Sequence, residues 1–195
     1  MGMAQTASIR PVSVEEYLKG ELASDARHEY VNGEVFAMVG GTKAHNAIAG
    51  NLFALLHTWL RGSSCRPYLS DVKVRVRTGQ DDRFYYPDLL LSCMPQEPSA
   101  YYTEAPVLIA EVLSASTERR DRAEKFYQYR KLNSLQEYVL VAQDLMRVEV
   151  YRRATGWDLE LYGEGDRFRL ETADLELAVD ELYEGVEWET SAEHR

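Results

Sequence analysis

The sequence predicts an α/β protein in which a partly antiparallel sheet is flanked by helices. Two dense apolar runs, residues 85–91 and 107–113, are typical of strands that are covered on both faces. Residues 117–132 contain neither Gly nor Pro and mix apolar with charged side chains, which favours an amphipathic helix. Through the centre of the chain the order is helix, three strands, helix and strand, and this order indicates an α/β core.

Local signals place the first elements of the chain. Ser13 and Glu16 have the spacing of a helix capping box, so a short helix should begin there. Asn32-Gly33 lies between two apolar segments and predicts a two-residue hairpin turn, because both residue types tolerate a positive φ. Apolar residues three and four positions apart then predict a longer helix that ends at Gly62.

The strands after this helix show two kinds of pattern. Val72, Val74 and Val76 alternate with basic residues, as in a strand with one face buried. Further strands are predicted over residues 137–142, 146–151, 157–162 and 167–170. The last two of these ranges add short strands C-terminal to the core.

The charge of the chain is concentrated at its C-terminal end. The 195 residues have a formal net charge of −10, which disfavours a nucleic-acid partner because binding depends largely on basic side chains. The last 25 residues, however, hold nine acidic residues and one basic residue, whereas residues 1–170 have a net charge of −2. We therefore predict a single domain over residues 1–170 and an acidic C-terminal extension over residues 171–195.

Cysteine use and hydropathy predict a cytoplasmic protein. Cys65 and Cys93 are too few for a disulfide framework and are expected to be reduced thiols. The N-terminal segment lacks the apolar stretch of a secretory signal. No run approaches the roughly 18 apolar residues of a membrane-spanning helix.

Two carboxylates interrupt the dense apolar runs. Asp88 lies within residues 85–91 and Glu111 within residues 107–113. An ionised carboxylate in a buried strand costs several kcal/mol unless it is paired or bound to a cation. If the two strands are neighbours, both acids could bind one hard cation such as Mg²⁺. The structural alternative is that Asp88 caps a turn at the start of a strand and that Glu111 pairs with an arginine.

Lys125 and His45 are weaker candidates when each is taken alone. Lys125 follows Asp121 by one helical turn, so a surface ion pair is the simpler interpretation. His45 follows Gly40-Gly41 at the start of the long helix, where a histidine is usually a cap or a surface residue. Patterns typical of zinc modules, serine hydrolases and P-loop enzymes do not occur in the sequence.

Two groups of basic residues could contact phosphates. One group lies on the alternating strand and the other at the start of the helix over residues 117–132, where cations are unfavourable for the helix dipole. A solvated strand face and a solvated helix start explain the same residues equally well. The candidates are Lys73, Arg75, Arg77, Arg119, Arg120 and Arg122.

The motifs over residues 13–152 together resemble the Uma-two family of restriction-endonuclease-like proteins, within the PD-(D/E)XK nuclease superfamily. The resemblance is carried by residues 29–35 (EYVNGEV), His45, Tyr86-Pro87-Asp88, residues 111–117, residues 120–125 and Glu137-Tyr138. It implies a restriction-endonuclease-like core with a mixed β-sheet flanked by helices. An N-terminal helix and β-hairpin precede this core, and additional strands follow it.

The resemblance also implies a metal-dependent DNA endonuclease. Asp88 and Glu111 match the acids that bind Mg²⁺, for which Mn²⁺ is a substitute. Leu113 stands where the superfamily usually has its lysine, so the resemblance assigns that role to Lys125 from the following helix. His45 matches a position expected to be accessory to the same pocket.

Two questions about function stay open at this point. Because of Leu113, the alternative of a catalytically weak or inactive module that binds nucleic acid or another partner stays open. The substrate could also be RNA or a branched nucleic acid. A homodimer is expected from the resemblance, since two sites are needed to cut two strands.

Overall fold

The structure is a computed structural model that describes residues 10–97 and 99–188. Its helices are α1 (Val14–Leu22), α2 (Lys43–Trp59), α3 and α4 (Val179–Leu182), where α3 consists of the consecutive turns Glu118–Arg120 (α-helical), Asp121–Lys125 (π-helical) and Phe126–Tyr129 (α-helical). Its strands are β1 (His28–Val31), β2 (Glu34–Ala37), β3 (Arg66–Leu69), β4 (Lys73–Thr78), β5 (Asp81–Tyr85), β6 (Leu89–Ser92), β7 (Tyr102–Thr103), β8 (Pro106–Leu113), β9 (Glu137–Ala142), β10 (Arg147–Arg152), β11 (Leu159–Gly163), β12 (Arg167–Leu170) and β13 (Leu175–Ala178).

The strands form two mixed sheets and one separate hairpin. The larger sheet has the order β11-β10-β9-β8-β6-β3 and is antiparallel except between β8 and β9, which run parallel. The smaller sheet has the order β2-β1-β5-β4-β7, and β12 pairs with β13. Because α3 connects the parallel neighbours β8 and β9, it must cross one face of the larger sheet. The mixed α/β architecture predicted from the sequence is confirmed.

The two faces of the larger sheet are covered by different parts of the chain. On one face, residues such as Leu91 and Leu108 pack with α2, the β12–β13 hairpin and α4. On the other face, Leu90 and Ile109 pack with residues of β4, β5 and α3. Glu111 follows Ile109 by two positions, so its side chain points to this second face and towards α3.

The N-terminal elements follow the local signals. The hydroxyl of Ser13 accepts from the backbone N–H of Glu16, whose carboxylate accepts from the N–H of Ser13, and this capping box begins α1. The hairpin turn has φ 50° at Asn32 and 98° at Gly33, as the Asn-Gly pair predicts. A Cβ at Gly33 would also lie 2.5 Å from the Cβ of Pro11, so the turn requires glycine for two reasons.

The structure divides the predicted strand over residues 85–91 into two. β5 ends at Tyr85 in the smaller sheet, and β6 begins at Leu89 in the larger one. Pro87 separates them, and it has no backbone N–H to donate to a ladder. Asp88 therefore lies at a crossing point between the two sheets rather than inside one strand.

The C-terminal segment differs from the predicted boundary at residue 170. β12 and β13 pair across it, with Leu170 opposite Leu175, and Val179 and Leu182 are buried in the main core. The side-chain amide of Asn51 on α2 donates to the backbone carbonyl of Leu182. Acidic residues alternate with buried apolar ones in this segment, so it folds into the domain while its charges face solvent. Residues 189–195 of the predicted extension lie outside the described residues.

The expectation of reduced thiols is wrong in the structure, where Cys65 and Cys93 form a disulfide. Cys65 precedes β3 and Cys93 follows β6, and these neighbouring antiparallel strands pair Arg66 with Ser92. The register therefore places the two cysteines side by side, although 28 residues separate them in sequence. Within the described ranges, no helix is long and apolar enough to cross a membrane.

Candidate functional site

Asp88 and Glu111 meet where β6 begins beside β8. The backbone N–H of Asp88 donates to Oε2 of Glu111 at 3.3 Å. Oδ2 of Asp88 in turn accepts from the backbone N–H of Val112 at 2.7 Å. Because β6 and β8 are adjacent antiparallel strands, these hydrogen bonds hold the two carboxyl groups in one small region. The two acids proposed as metal ligands are thus neighbours in space.

Lys125 reaches the same region from α3. Its Nζ lies 3.1 Å from Oε1 of Glu111, 3.2 Å from Asp121 and 3.4 Å from Glu29, and the residue is 6% exposed. The hydroxyl of Tyr129, one turn further along α3, also donates to Oε1 of Glu111 at 3.2 Å. Lys125 therefore points into the protein and towards the acids, whereas a surface ion pair with Asp121 would leave it in solvent.

The π-helical turn of α3 contains both residues of the ion pair between Asp121 and Lys125. Asp121 and Lys125 are the first and last residues of the turn, and both are buried. Single π-helical turns inside α-helices occur often at functional sites. Leu113, where the superfamily lysine usually stands, lies on the same face of β8 as Glu111 and is buried in the apolar core. The amine that lies near Glu111 is that of Lys125 on the crossover helix.

Glu29 and Asp121 also lie in the site, although the sequence did not predict a role for either residue in it. Glu29 on β1 is buried, accepts a hydrogen bond from Arg120 and accepts from the backbone N–H of Tyr86 at 3.2 Å. The one signal in the sequence for the burial of Glu29 is its charge directly before the apolar end of β1. For Asp121, the spacing of four from Lys125 predicted the pair but not its burial.

His45 contacts the carboxylate of Asp88 from the first turn of α2. Its Nε2 is 3.1 Å from Oδ2 of Asp88. Thr42 caps α2 by accepting from the backbone N–H of His45, which fixes the start of the helix. A Cβ at Gly41 would lie 2.8 Å from Nδ1 of His45, so the absence of a side chain at Gly41 makes room for the imidazole ring.

Burial strongly affects the titration of these groups. Burial raises the pKa of Glu111 well above its ordinary value, although Lys125 acts in the opposite direction, and burial also raises the pKa of Asp121. Burial acts to lower the pKa of Lys125, but the nearby carboxylates raise it well above its ordinary value, so the amine stays charged. Burial likewise opposes charge on His45, yet its hydrogen bond to Asp88 leaves its pKa raised.

A pocket of about 540 Å³ opens onto these groups. Its lining includes four carboxylates and two cations, those of Glu29, Asp88, Glu111, Asp121, Lys125 and Arg120. One wall is apolar and comes from β2 and the loop that follows it, and the other is polar and comes from the loop before α3. The apolar wall includes Phe36, Met38 and Val39.

The six predicted phosphate-contacting residues do not form one open basic face. Lys73 is buried, contrary to the expected outer strand face, and its Nζ donates to the hydroxyl of Tyr86 at 3.1 Å. Three others are in ion pairs: Arg75 with Asp82 and Glu104, Arg120 with Glu29 and Glu124, and Arg122 with Glu118 and Glu149. Arg77 and Arg119 are exposed.

The residues at the centre fit a hard divalent cation. Four buried or half-buried carboxylates, those of Glu29, Asp88, Glu111 and Asp121, exceed the fixed positive charge of Lys125 and Arg120. Oδ1 of Asp121 is buried, and its partner is the ammonium group of Lys125 at 3.2 Å. Mg²⁺ commonly binds through one or two carboxylates with water completing its shell. In the described part of the chain, no group of three or more His, Cys, Asp or Glu side chains is arranged to hold a metal ion, so a cation here would rely on one or two carboxylates and water.

Comparison with known proteins identifies the family. The sequence model of the Uma-two family (Uma2), described as "Putative restriction endonuclease", matches residues 14–180. The chain belongs to the Uma-two family. A protein of Synechocystis sp. named "Uncharacterized protein slr1290" is 34% identical over 184 residues, which are 93% of this chain and 96% of that protein. A second Synechocystis protein, "Uncharacterized protein sll1609", is 32% identical over 170 residues, or 83% of this chain and 94% of that one.

A solved structure shares the fold of this Uma-two chain. It is the crystal structure of a putative nuclease belonging to DUF820 from Anabaena variabilis, with a TM-score of 0.72 and 21% sequence identity. The similarity covers 89% of this chain and 98% of the Anabaena protein. The family match extends to residue 180, in agreement with the packing of β13 and α4 into the domain.

Proposed function

We propose that this Uma-two protein is a metal-dependent DNA endonuclease in which Asp88 and Glu111 hold Mg²⁺ and Lys125 assists from α3. The observation that carries the proposal is the 3.1 Å contact between Nζ of Lys125 and Oε1 of Glu111. This contact supports a role for Lys125 in place of the lysine that position 113 lacks. Mn²⁺ is expected to substitute for Mg²⁺, because both are bound by carboxylates and water.

The protein's own groups prepare the centre for phosphodiester hydrolysis. A bound Mg²⁺ would polarise a phosphoryl oxygen and lower the pKa of a water molecule. Lys125 keeps its proton and places a positive charge where negative charge develops during attack. The Tyr129 hydroxyl and the Val112 N–H orient the carboxylates of Glu111 and Asp88, and Glu29 orients the ammonium group of Lys125.

A cleavage assay tests this function. The full chain is incubated with supercoiled plasmid and with labelled oligonucleotides, in Mg²⁺, in Mn²⁺ and in EDTA. Asp88→Ala and Lys125→Ala should each lower the cleavage rate by about a hundredfold or more, since each removes an electrostatic contribution to the transition state. Asp71→Ala and Lys131→Ala are matched controls at an exposed and a half-buried position, and both should cleave normally. Cleavage that survives Asp88→Ala would contradict the mechanism.

A non-cleaving module of the same fold is the second candidate. The occupation of position 113 by a buried leucine favours it, because the superfamily lysine is absent from the strand itself. Under this alternative the wild-type chain binds nucleic acid in the presence of Mg²⁺ but leaves it intact. Cleavage by the wild type that depends on both Asp88 and Lys125 rules this alternative out.

A further inference from the structure

The apolar wall of the pocket contains an exposed aromatic ring beside the proposed centre. Phe36 lies on β2, an edge strand of the smaller sheet, and is 43% exposed. The guanidinium group of Arg120 lies 5.7 Å from the centre of the ring. Met38 and Val39 extend the same wall, and Val39 is 84% exposed. A nucleobase has an apolar face that can pack against such a surface beside the proposed centre.

The distribution of cations argues against a continuous duplex as the partner. Binding to duplex DNA relies on many Lys and Arg contacts to phosphates. Of the six predicted phosphate-contacting residues, Lys73 is buried, and Arg75, Arg120 and Arg122 are already paired with carboxylates, which leaves Arg77 and Arg119 exposed. Affinity for an unpaired strand, in contrast, comes largely from stacking of bases on aromatic side chains. The pocket therefore has the means to bind a base and few means to follow two phosphate backbones.

The size of the pocket agrees with a single nucleotide. Its volume of about 540 Å³ falls within the range of pockets that enclose one small molecule. Phe36 and Arg120 line the same pocket as Asp88, Glu111 and Lys125, so a base on the aromatic wall and its phosphate at the acids can belong to one nucleotide. Enzymes that do chemistry on a base bind it outside the base stack, and a nucleotide enclosed in this pocket would likewise be unpaired.

We propose that the pocket accepts one unpaired nucleotide of DNA, with its base stacked on Phe36 and its phosphate at the Asp88–Glu111–Lys125 centre. The substrate class is then single-stranded DNA or the unpaired end of a branched molecule, and not a continuous duplex. This inference rests on the proposed nuclease function and narrows its substrate.

Binding measured by fluorescence anisotropy tests the inference separately from cleavage. A labelled single strand of 12 nucleotides and the duplex of the same sequence are titrated with the full chain in EDTA and low salt. Phe36→Ala should weaken binding of the single strand about tenfold. Phe36→Trp should restore it, and Phe36→Leu, which is apolar but has no π face, should not. Thermal melting of each variant shows whether it is folded.

Val35→Ala is the matched control. Val35 is the preceding residue of the same edge strand, is 40% exposed, and points to the opposite face, away from the pocket. It should bind the single strand like the wild type. Equal weakening by Val35→Ala and Phe36→Ala would overturn the inference, because it would indicate an effect on the strand rather than stacking.

The remaining outcomes separate this inference from the proposed function. Tighter binding of the duplex than of the single strand, with no effect of Phe36→Ala, would overturn the inference while metal-dependent cleavage could still be observed. Failure to bind either form in EDTA would overturn the inference, whereas the proposed function would be overturned only if cleavage in Mg²⁺ and Mn²⁺ failed as well. A single strand that binds more tightly and depends on an aromatic residue at position 36 would support the unpaired nucleotide.

Discussion

Replacing Lys125 with methionine removes the charge at the centre of the buried cluster and keeps most of the side-chain volume. Three carboxylates, those of Glu29, Glu111 and Asp121, lie within 3.4 Å of Nζ in the wild type. In the variant these groups lose their shared counter-ion inside the protein. Removing one partner of a buried ion pair typically costs about 3–5 kcal/mol of unfolding free energy. A domain with about 5–15 kcal/mol of stability should survive this loss at moderate temperature.

The cost should depend on pH in a direction that follows from the pKa shifts. Burial raises the pKa of Glu111 and of Asp121, and Lys125 opposes this effect in the wild type. Without Lys125 both pKa values should rise further, so the folded variant binds more protons than the unfolded chain. Its stability should therefore fall as the pH rises from the unfolded pKa towards the folded one. Each unit of additional pKa shift corresponds to about 1.4 kcal/mol.

Urea denaturation of the wild type and of Lys125→Met at pH 5 and pH 8 measures this effect. We expect a loss of about 3–5 kcal/mol at pH 8 and a clearly smaller loss at pH 5. Lys131→Met is the control, because Lys131 lies just beyond α3 and its contact with Asp81 is 3.7 Å long. It should cost less than about 1 kcal/mol at both pH values. A small loss in Lys125→Met, or a loss that is larger at pH 5, would refute the described charge cluster.

Two further predictions concern the metal and a second ion pair. Adding millimolar Mg²⁺ should raise the melting temperature of the wild type but not of Asp88→Ala, since a ligand that binds only the folded state stabilises it. An equal rise in melting temperature in both proteins would indicate that the metal binds elsewhere. Burial acts to raise the pKa of Glu149, but its hydrogen bonds from Arg122 leave it lowered. Glu149→Gln should therefore cost about 1–3 kcal/mol of unfolding free energy at pH 7. The difference in stability from the wild type should shrink as the pH falls below the unfolded pKa of Glu149, near 4.5. Denaturation curves of the two proteins that are equally far apart at pH 7 and at pH 3.5 would contradict this prediction.

The proposed centre combines groups from four separate parts of the chain. Asp88 comes from the turn between the two sheets, Glu111 from β8, Lys125 from α3 and Glu29 from β1. β8, α3 and β9 form a parallel crossover, so α3 lies over the face to which Glu111 points. The same crossover allows a helix to supply the amine that the leucine at position 113 cannot supply.

Local features of this fold could be predicted from the sequence because neighbouring residues determine them. Asn32-Gly33 favours the positive φ values of the hairpin turn, and Ser13 with Glu16 favours the start of α1. Asp88 and Glu111 also stood out locally, since a charge inside an apolar run is costly wherever the run is buried. Each of these signals lies within a few residues of the feature that it predicts.

The partners of the buried charges were decided only by the tertiary structure. Lys125 and Glu29 are far apart in sequence and meet because α3 crosses the sheet close to β1. Lys73, which the alternating pattern assigned to an outer face, is buried because Tyr86 covers it. Cys65 and Cys93 become neighbours through the register of β3 and β6. Strand order and crossover direction set these contacts, and neither is encoded in the local pattern of polar and apolar residues.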